Sequence, residues 1–531
     1  MGTIFSNDAL DLQLDTFTEG DDKAMVDGGV LTCADGSKID TAVRGRFPRL
    51  SSDCPMLDAM YGISVRDHER ITIDRRMYLY MLCARYVRDF KIPEGFIPSG
   101  SVFWAGYGFN TYLYTRDTAY SSWLGTAYIL PGVVKSHLQY LRGLRRKVGL
   151  KVSRGHGIPI EGIPVEQLDV TEREMALNYN TNSYTRRTDD VVWLLGLWEV
   201  YKSTLDEALL PYMLEQFDYF DEHFYRYFLD ESDGLYRGQS TFIDIGGACY
   251  GGRSGSRSVA LKALSTNCLY VRAFGILGRI STLLGESKRA KKFAARRERL
   301  AEAIRAHFGA NDWNHYIDEE GKPSGRREIL GIAFLTLFDI LPPDEGAKLI
   351  SSYPGGDYGR PLLWPFCGSE RVYHDNSTWP FADTIFALAE YKVGNRQAAI
   401  RATMGKLSRA ALEGNFNEVI EYATGRMVGC PGYIWSAASY LAVVFKMIAG
   451  LTVDETGKVT FAPVLPAELG PRLDLDGLRI GEMTVNLHIR GNGERVERCT
   501  VDGKGVDCPS LEVAAGERVV EIHLGGGEGG S

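Results

Sequence analysis

Four stretches of this chain, Val191–Val200, Ile332–Leu341, Phe381–Ala389 and Ile434–Ile448, are apolar almost throughout, while neighbouring stretches such as 287–308 and 396–412 are rich in Arg, Lys and Glu. A helix that is apolar on every side must be buried on every side, whereas an amphipathic helix keeps one face in water. Alternation of the two kinds predicts two concentric rings, the inner covered by the outer. None of the apolar runs reaches the ~18 unbroken residues that a membrane span requires.

Helical spacing is legible along most of the chain. Leu79, Leu82, Cys83, Tyr86, Val87 and Phe90 share one face of a predicted helix over 73–90. Further helices are expected near 117–129, 132–147, 188–204, 206–229, 257–284, 287–308, 327–340, 344–352, 376–393, 396–412 and 433–449. About a dozen helices, taken as six hairpins, would close into an (α/α)6 barrel over residues 73–450, with loops at one end of the inner helices forming a site. Residues 1–72 alternate at Leu10, Leu12 and Leu14 and carry turn signals at Glu19–Asp22, Gly28-Gly29 and Ala34–Ser37, so a short β-rich segment is expected there. After Gly450 the period becomes that of strands: Leu451–Val453, Val459–Phe461, Leu478–Ile480, Met483–Ile489, Val496–Val501, Leu511–Val513 and Val519–Leu524. The predicted class is therefore mainly α, with a small β-sandwich-like domain over 451–524 and a disordered glycine-rich tail over 525–531.

With 531 residues, 44% of them hydrophobic and 24% charged, the chain can bury a core of that size. Its net charge of −8, and basic clusters (Arg142–Lys151, Lys288–Arg299) that fall at helical spacing beside Leu and Ala, argue against nucleic acid as a partner. Nine cysteines stand singly at 33, 54, 83, 249, 268, 367, 430, 499 and 508, a pattern that describes neither a zinc site nor a disulfide framework. The N-terminus has no basic and apolar leader, so a cytoplasmic protein is expected, or a periplasmic or secreted one had a signal peptide been removed. Oligomeric state stays open, a homo-oligomer included.

Polar chemistry gathers in five inter-helix stretches that mix aromatics, glycine and acids. Such a mixture suits a carbohydrate, because rings stack on sugar C–H faces while carboxylates and arginine grip hydroxyls. In Trp104–Thr118, Tyr114, Arg116 and Asp117 follow an aromatic loop, with Asp117 either a helix cap or part of a hydroxyl clamp with Arg116. Arg187, Asp189 and Asp190 stand at another helix start, where Thr188 or Asp189 can cap and the other acid face a pocket. In Asp233–Gly247, Tyr236 precedes Asp244, which lies between Phe242, Ile243 and Ile245. Apolar surroundings raise a carboxyl pKa, as a general acid needs; the alternative is a buried aspartate bonded to the amides of the glycine turn. The fourth stretch holds Trp364, His374 and Trp379, and His374 has no companions at metal-ligand spacing. The fifth, Asn415–Leu441, puts Glu418 and Glu421 in a loop ahead of Tyr433, Trp435 and a buried helix. No phosphate-cradling glycine motif occurs, so no nucleotide cofactor is expected, and no metal.

In order along the chain these stretches resemble the six-hairpin glycosidase superfamily of inverting (α/α)6-barrel enzymes, nearest in motif to its processing α-glucosidase, mannosylglycerate hydrolase and trehalase branches. Tyr114-Thr-Arg116-Asp117-Thr118 resembles the aromatic-x-Arg-Asp-Thr entry of that group, and Thr188-Asp189-Asp190-Val-Val-Trp193-Leu its Asp-Asp-x-x-Trp-Leu helix start. Asp233-Gly-Leu235 with Phe242-Ile-Asp244 is similar to the segment that supplies the general acid in several branches, and Asn267-Cys-Leu-Tyr270 to the inner helix after it. Tyr373-His374-Asp375-Asn376-Ser377-Thr378-Trp379-Pro380 resembles Tyr-His-Asn-Gly-Ser-x-Trp-Pro, and Glu418 to Gly425 with Trp435-Ser-Ala-Ala resembles the α-glucosidase ending. The likeness runs from about residue 73 to 525. Phe242 departs from the usual Trp, and Asp375-Asn376 from Asn-Gly.

The resemblance implies an exo-acting, inverting glycoside hydrolase without cofactor, with Asp244 as general acid and Glu418 as general base. Glu421 is the rival base, and Asp189 or Asp190 the rival acid. Trp104, Tyr114, Arg116, Asp117, Arg187, Tyr236, Trp364, His374, Trp379, Tyr433 and Trp435 are the expected sugar-binding residues. Competing classes are a phosphorylase of the same fold, with phosphate held near Arg186, Arg187 or His374, a sugar epimerase or polysaccharide lyase, and a non-catalytic carbohydrate-binding protein.

Overall fold

A computed structural model describes residues 14–78, 98–108, 113–143, 188–223, 228–243, 247–252, 260–369, 372–507 and 509–525, with the backbone alone at 189, 190, 223 and 248. In chain order, the helices that build the array are α1 (Pro55–Ile71), α2 (Thr115–Ser121), α3 (Pro131–Gly143), α4 (Asp189–Thr204), α5 (Leu209–His223), α6 (Leu264–Leu283), α7 (Ser287–Gly309), α8 (Ile329–Leu337), α9 (Pro343–Ser351), α10 (Pro380–Lys392), α11 (Arg396–Ser408) and α12 (Ile434–Ala442). Proline opens α1, α9 and α10, where its missing N–H has no helical partner to lose.

The two kinds of helix behave as their composition dictates. In α8 every residue from Ile329 to Thr336 is buried, whereas α7 buries only the stripe Phe293, Arg296, Leu300, Ala301, Ile304 and Phe308. Helix α2 packs on α4, α4 on α6, α6 on α8, α8 on α10, α10 on α12, and α12 packs back on α2. Outside this cycle, α1 lies on α12, α3 on α2 and α4, α5 on α4 and α6, α7 on α6, α9 on α8 and α10, and α11 on α10 and α12. Beyond α2 the chain widens into a π-turn over Ser122–Thr126. There Gly125, at φ +153°, lets the backbone meet α12; a Cβ at that position would lie 2.7 Å from Leu441 Cβ.

The N-terminal segment departs from expectation. Residues 16–40 do form a four-stranded antiparallel meander, but α1 lies inside the stretch read as β-rich, and the strand Arg49–Ser52 pairs with Leu473–Asp476 at the edge of the C-terminal sheet. Twelve of the seventeen residues of α1 are buried, and its unburied residues Pro55, Asp58, Arg66, Glu69 and Arg70 fall on one side, a helical spacing that a β-rich reading of 1–72 passes over. The helix expected over 73–90 is corrected at its start, since Thr72–Ile73 is a short strand paired with Val102–Phe103; residues 79–97 lie outside the described residues. The strands after Gly450 form a three-stranded sheet and five strands of a six-stranded one, whose sixth strand is Arg49–Ser52. In the larger, Met483–Arg490 alternates buried and half-buried positions along its whole length, the mark of one face on a core. Among the described residues no helix is long and apolar enough to cross a membrane.

Candidate functional site

Helices α2, α6, α8, α10 and α12 are each entered through an extended residue: Tyr114, Ala263, Glu328, Trp379 and Tyr433. Just outside these entries, short strand pairs fix the approach of the chain. One three-stranded unit joins Ser377–Thr378, Val419–Glu421 and Met427–Val428, and so carries the loop of Tyr373 and His374 beside that of Glu418.

Glu418 is 1% exposed. Its Oε1 accepts the Tyr373 hydroxyl at 2.7 Å and its Oε2 the Cys430 amide at 3.0 Å, while its own amide donates to Cys430 O. Gly429, at φ +84°, makes this possible: a Cβ there would stand 2.7 Å from Oε2. Glu421 is placed differently. Three residues along a strand turn a side chain to the opposite face, and Glu421 accepts bonds from Thr424 and the exposed Arg426, which hold its carboxyl below the ordinary value.

Tyr433 links the second acid to this group. Its hydroxyl donates to Asp117 Oδ1 at 2.7 Å, and burial together with the negative field of Asp117 and then Glu418 pushes the phenol far up. Asp117 is buried and does not act as a simple helix cap. Arg116 is turned toward the chain itself, donating to Thr241 O at 2.8 Å and Phe242 O at 3.3 Å. Asp117 thus meets Tyr433, and Arg116 meets the Thr241–Phe242 backbone.

Around Phe242 the aromatic residues converge. Trp379 lies 4.5 Å from its ring centroid, Phe381 4.8 Å, His374 5.2 Å and Trp435 5.4 Å, all close to perpendicular. Trp379 Nε1 donates to Tyr373 O, and Tyr433 lies 5.2 Å from Trp435, so a single cluster runs from the Glu418 phenol to the Asp117 phenol. Trp104 sits beside it, its amide on Ile71 O and the following Ala105 O accepting the Ile434 amide.

Two predicted residues stand apart. Tyr236 is stacked 3.8 Å from Tyr270 and held at both backbone groups by Asn267, within the core. Trp364 is 39% exposed and touches Phe366, which in turn touches Tyr422. Asp244 and Arg187 lie outside the described residues, as do the side chains of Asp189 and Asp190. Among the described residues no group of three His, Cys, Asp or Glu side chains could hold a metal.

Of the buried acids that escaped sequence reasoning, two are bonded to segments of this site. Asp67, on α1, accepts the Tyr107 hydroxyl at 2.7 Å and the Phe416 amide at 3.0 Å, and so pins the loop that leads to Glu418; burial raises its carboxyl pKa. Glu328 is the residue before α8 and wholly buried, with the Ser240 hydroxyl bonded to it; burial pushes it up to about 7. Its only sequence signal is an acid placed directly ahead of an apolar helix.

No family model matches the sequence, and no curated protein matches it. Among solved structures, one named as a sialidase superposes with a TM-score of 0.59 at 13% identity, over 88% of this chain and 41% of that one. The GH78 family rhamnosidase of Bacillus sp. GL1 gives 0.52 at 15% identity, over 85% and 42%. An uncharacterised conserved protein of Thermus thermophilus gives 0.51 at 14%, over 72% and 99%. The chain spans about two fifths of the length of the first two. At these identities the likeness is one of fold, a mainly helical architecture with a β domain that is shared with structures named for a sialidase and a rhamnosidase.

Proposed function

We propose that this chain is an exo-acting, inverting glycoside hydrolase whose helices form an (α/α)6 barrel, with Glu418 as general base and Asp244 as general acid. Glu418 carries this reading: a buried carboxylate, oriented by one phenol and one amide, standing in the wall of an aromatic cluster that also holds a second buried acid. A carboxylate so held is fixed in rotamer, which is what a base that activates one water from one direction requires. Trp379, Trp435 and His374 are buried and would back the sugar's site from behind, while Asp117 with Tyr433 would supply a hydroxyl grip. Asp244 takes the acid role from the resemblance of its segment, of which Phe242 lies in the same cluster. Support for the barrel comes from the closed cycle of α2, α4, α6, α8, α10 and α12, and support for the class from the fold neighbours.

Inversion needs the two carboxyl groups roughly 6.5–9.5 Å apart, with water between base and anomeric carbon. The test is a panel of aryl glycosides and oligosaccharides with NMR detection of the first-formed anomer. An anomer opposite to that of the substrate is expected, with Glu418→Gln lowering kcat by about 10²- to 10⁴-fold and Glu421→Gln close to wild type. Retention of configuration, turnover only in added phosphate, or an active Glu418→Gln variant would each overturn the assignment.

A further inference from the structure

We infer that Glu328 is a positioning residue of this site, acting through the Ser240 hydroxyl to set the turn Ser240–Ile243 and so the place of Phe242 within the aromatic cluster. Ser240 has one hydroxyl proton, and it is committed to Glu328 Oε1. With the proton so directed, Ser240 Oγ faces the amides of Phe242 at 3.3 Å and Ile243 at 3.4 Å as an acceptor. Ser265 completes the arrangement: its hydroxyl lies 3.2 Å from Ser240 Oγ and also favours the charged Glu328 carboxylate by hydrogen bonding, and its Oγ receives the Thr241 amide at 3.3 Å. The turn formed in this way presents Thr241 O and Phe242 O to Arg116 and lays the Phe242 ring edge-on to Trp379 and Trp435. The Glu328 backbone is held on both sides, since it ends a strand paired with Leu363 and immediately precedes α8.

No charged partner compensates this carboxyl among the described residues that face it. His315, on the segment packed beside it, has Nε2 3.9 Å from Oε2, no hydrogen bond at either ring nitrogen, and a pKa pressed down to about 3 by burial and then by Arg326. From α6 the neighbour is Cys268, and beyond α9 it is Tyr353; burial keeps both neutral, their pKa values raised further by Glu328. Glu328 Oε2 likewise has no hydrogen-bond donor among the described residues. An uncompensated acid withdrawn from bulk water is costly to keep charged, and the tether from its Oε1 through Ser240 leads to the turn that carries Phe242. Above the pKa of Glu328 the Ser240 bond is charge-assisted; below it the bond is an ordinary one and the turn is held less firmly.

The experiment compares wild type, Ser240→Ala, Glu328→Gln and the double variant by near-UV circular dichroism between about pH 5 and pH 9, and by kcat/KM on whichever aryl glycoside of the panel is turned over. Wild type is expected to change its aromatic signal in one step near pH 7, and both single variants to lose that step while keeping their far-UV spectrum. On the alkaline plateau each single variant is expected to lose about tenfold in kcat/KM, and the double variant no more than either. A near-UV step that survives in Ser240→Ala, or additive losses in the double variant, would overturn the role. The kinetic arm rests on the glycosidase reading; if the spectral step behaves as expected and no glycoside is turned over, that reading fails while the placement of Phe242 by Glu328 stands.

Discussion

Replacing Glu328 by glutamine makes stability, as well as spectrum, depend on pH in a calculable way. In the unfolded chain a glutamate titrates near 4.5, and burial raises this one to about 7. The folded state therefore binds more protons than the unfolded state between those values, and wild-type stability falls as pH rises from 4.5 through 7. At ~1.36 kcal/mol for each tenfold in proton affinity, the ionised folded carboxylate costs about 3 kcal/mol by about pH 8. That is a large part of the roughly 5–15 kcal/mol that holds a typical domain together. Glutamine keeps an acceptor for Ser240 and cannot ionise. The variant should thus gain about 3 kcal/mol on wild type between about pH 4.5 and pH 8, whatever constant offset the lost carboxylate adds. Urea midpoints at matched slopes measure this difference. A variant-minus-wild-type difference that stays flat with pH would refute the claim that Glu328 is buried without a compensating charge.

Two further outcomes follow from the surroundings of Glu418. Tyr373→Phe removes a hydroxyl 2.7 Å from Oε1, and a hydrogen bond to a charged group is worth about 1.5–3 kcal/mol; the acid limb of the pH–rate profile is expected to move upward by about one to two pH units, and an unmoved limb would separate Tyr373 from the base. Gly429→Ala places a methyl 2.7 Å from Oε2 at φ +84°, with a left-handed backbone penalty of about 1–2 kcal/mol; kcat/KM should fall further than the urea midpoint accounts for, and equal effects on both would mean that the carboxylate position does not matter.

Most of the helical array is legible in the sequence, because a helix such as α8 is apolar on every side and α7 on one stripe only, and each pattern admits a single placement. What stays hidden is non-local. Nothing near Arg49–Ser52 announces that it completes a sheet with Arg472, 421 positions from Ser51, whose guanidinium also meets Asp53. α1 is not hidden in the same way, since Asp58, Arg66, Glu69 and Arg70 share one face at helical spacing, and it is the turn signals ahead of it that draw the whole stretch to a β-rich reading. The aromatic residues of the site are legible as dense loops, yet their grouping is not: Tyr236 and Trp379 look alike in sequence, and only the grip of Asn267 and Tyr270 on the first removes it from the cluster.

The same distinction explains why Glu418 and Glu328 differ in legibility. Glu418 stands in a glycine-marked loop, where a carboxylate has little structural reason to be buried, so its sequence context already points to chemistry. Glu328 stands at a helix entry, where an acid is favourable for the helix alone, and its context therefore points to nothing. Burial separates the two explanations. A residue serving only the helix dipole gains nothing from being wholly withdrawn from water beside an unprotonated histidine and two neutral side chains, and the desolvation works against it. Glu328 is tolerable there because it orders something else, and the first group along its hydrogen bonds is the turn that carries Phe242 to Trp379 and Trp435.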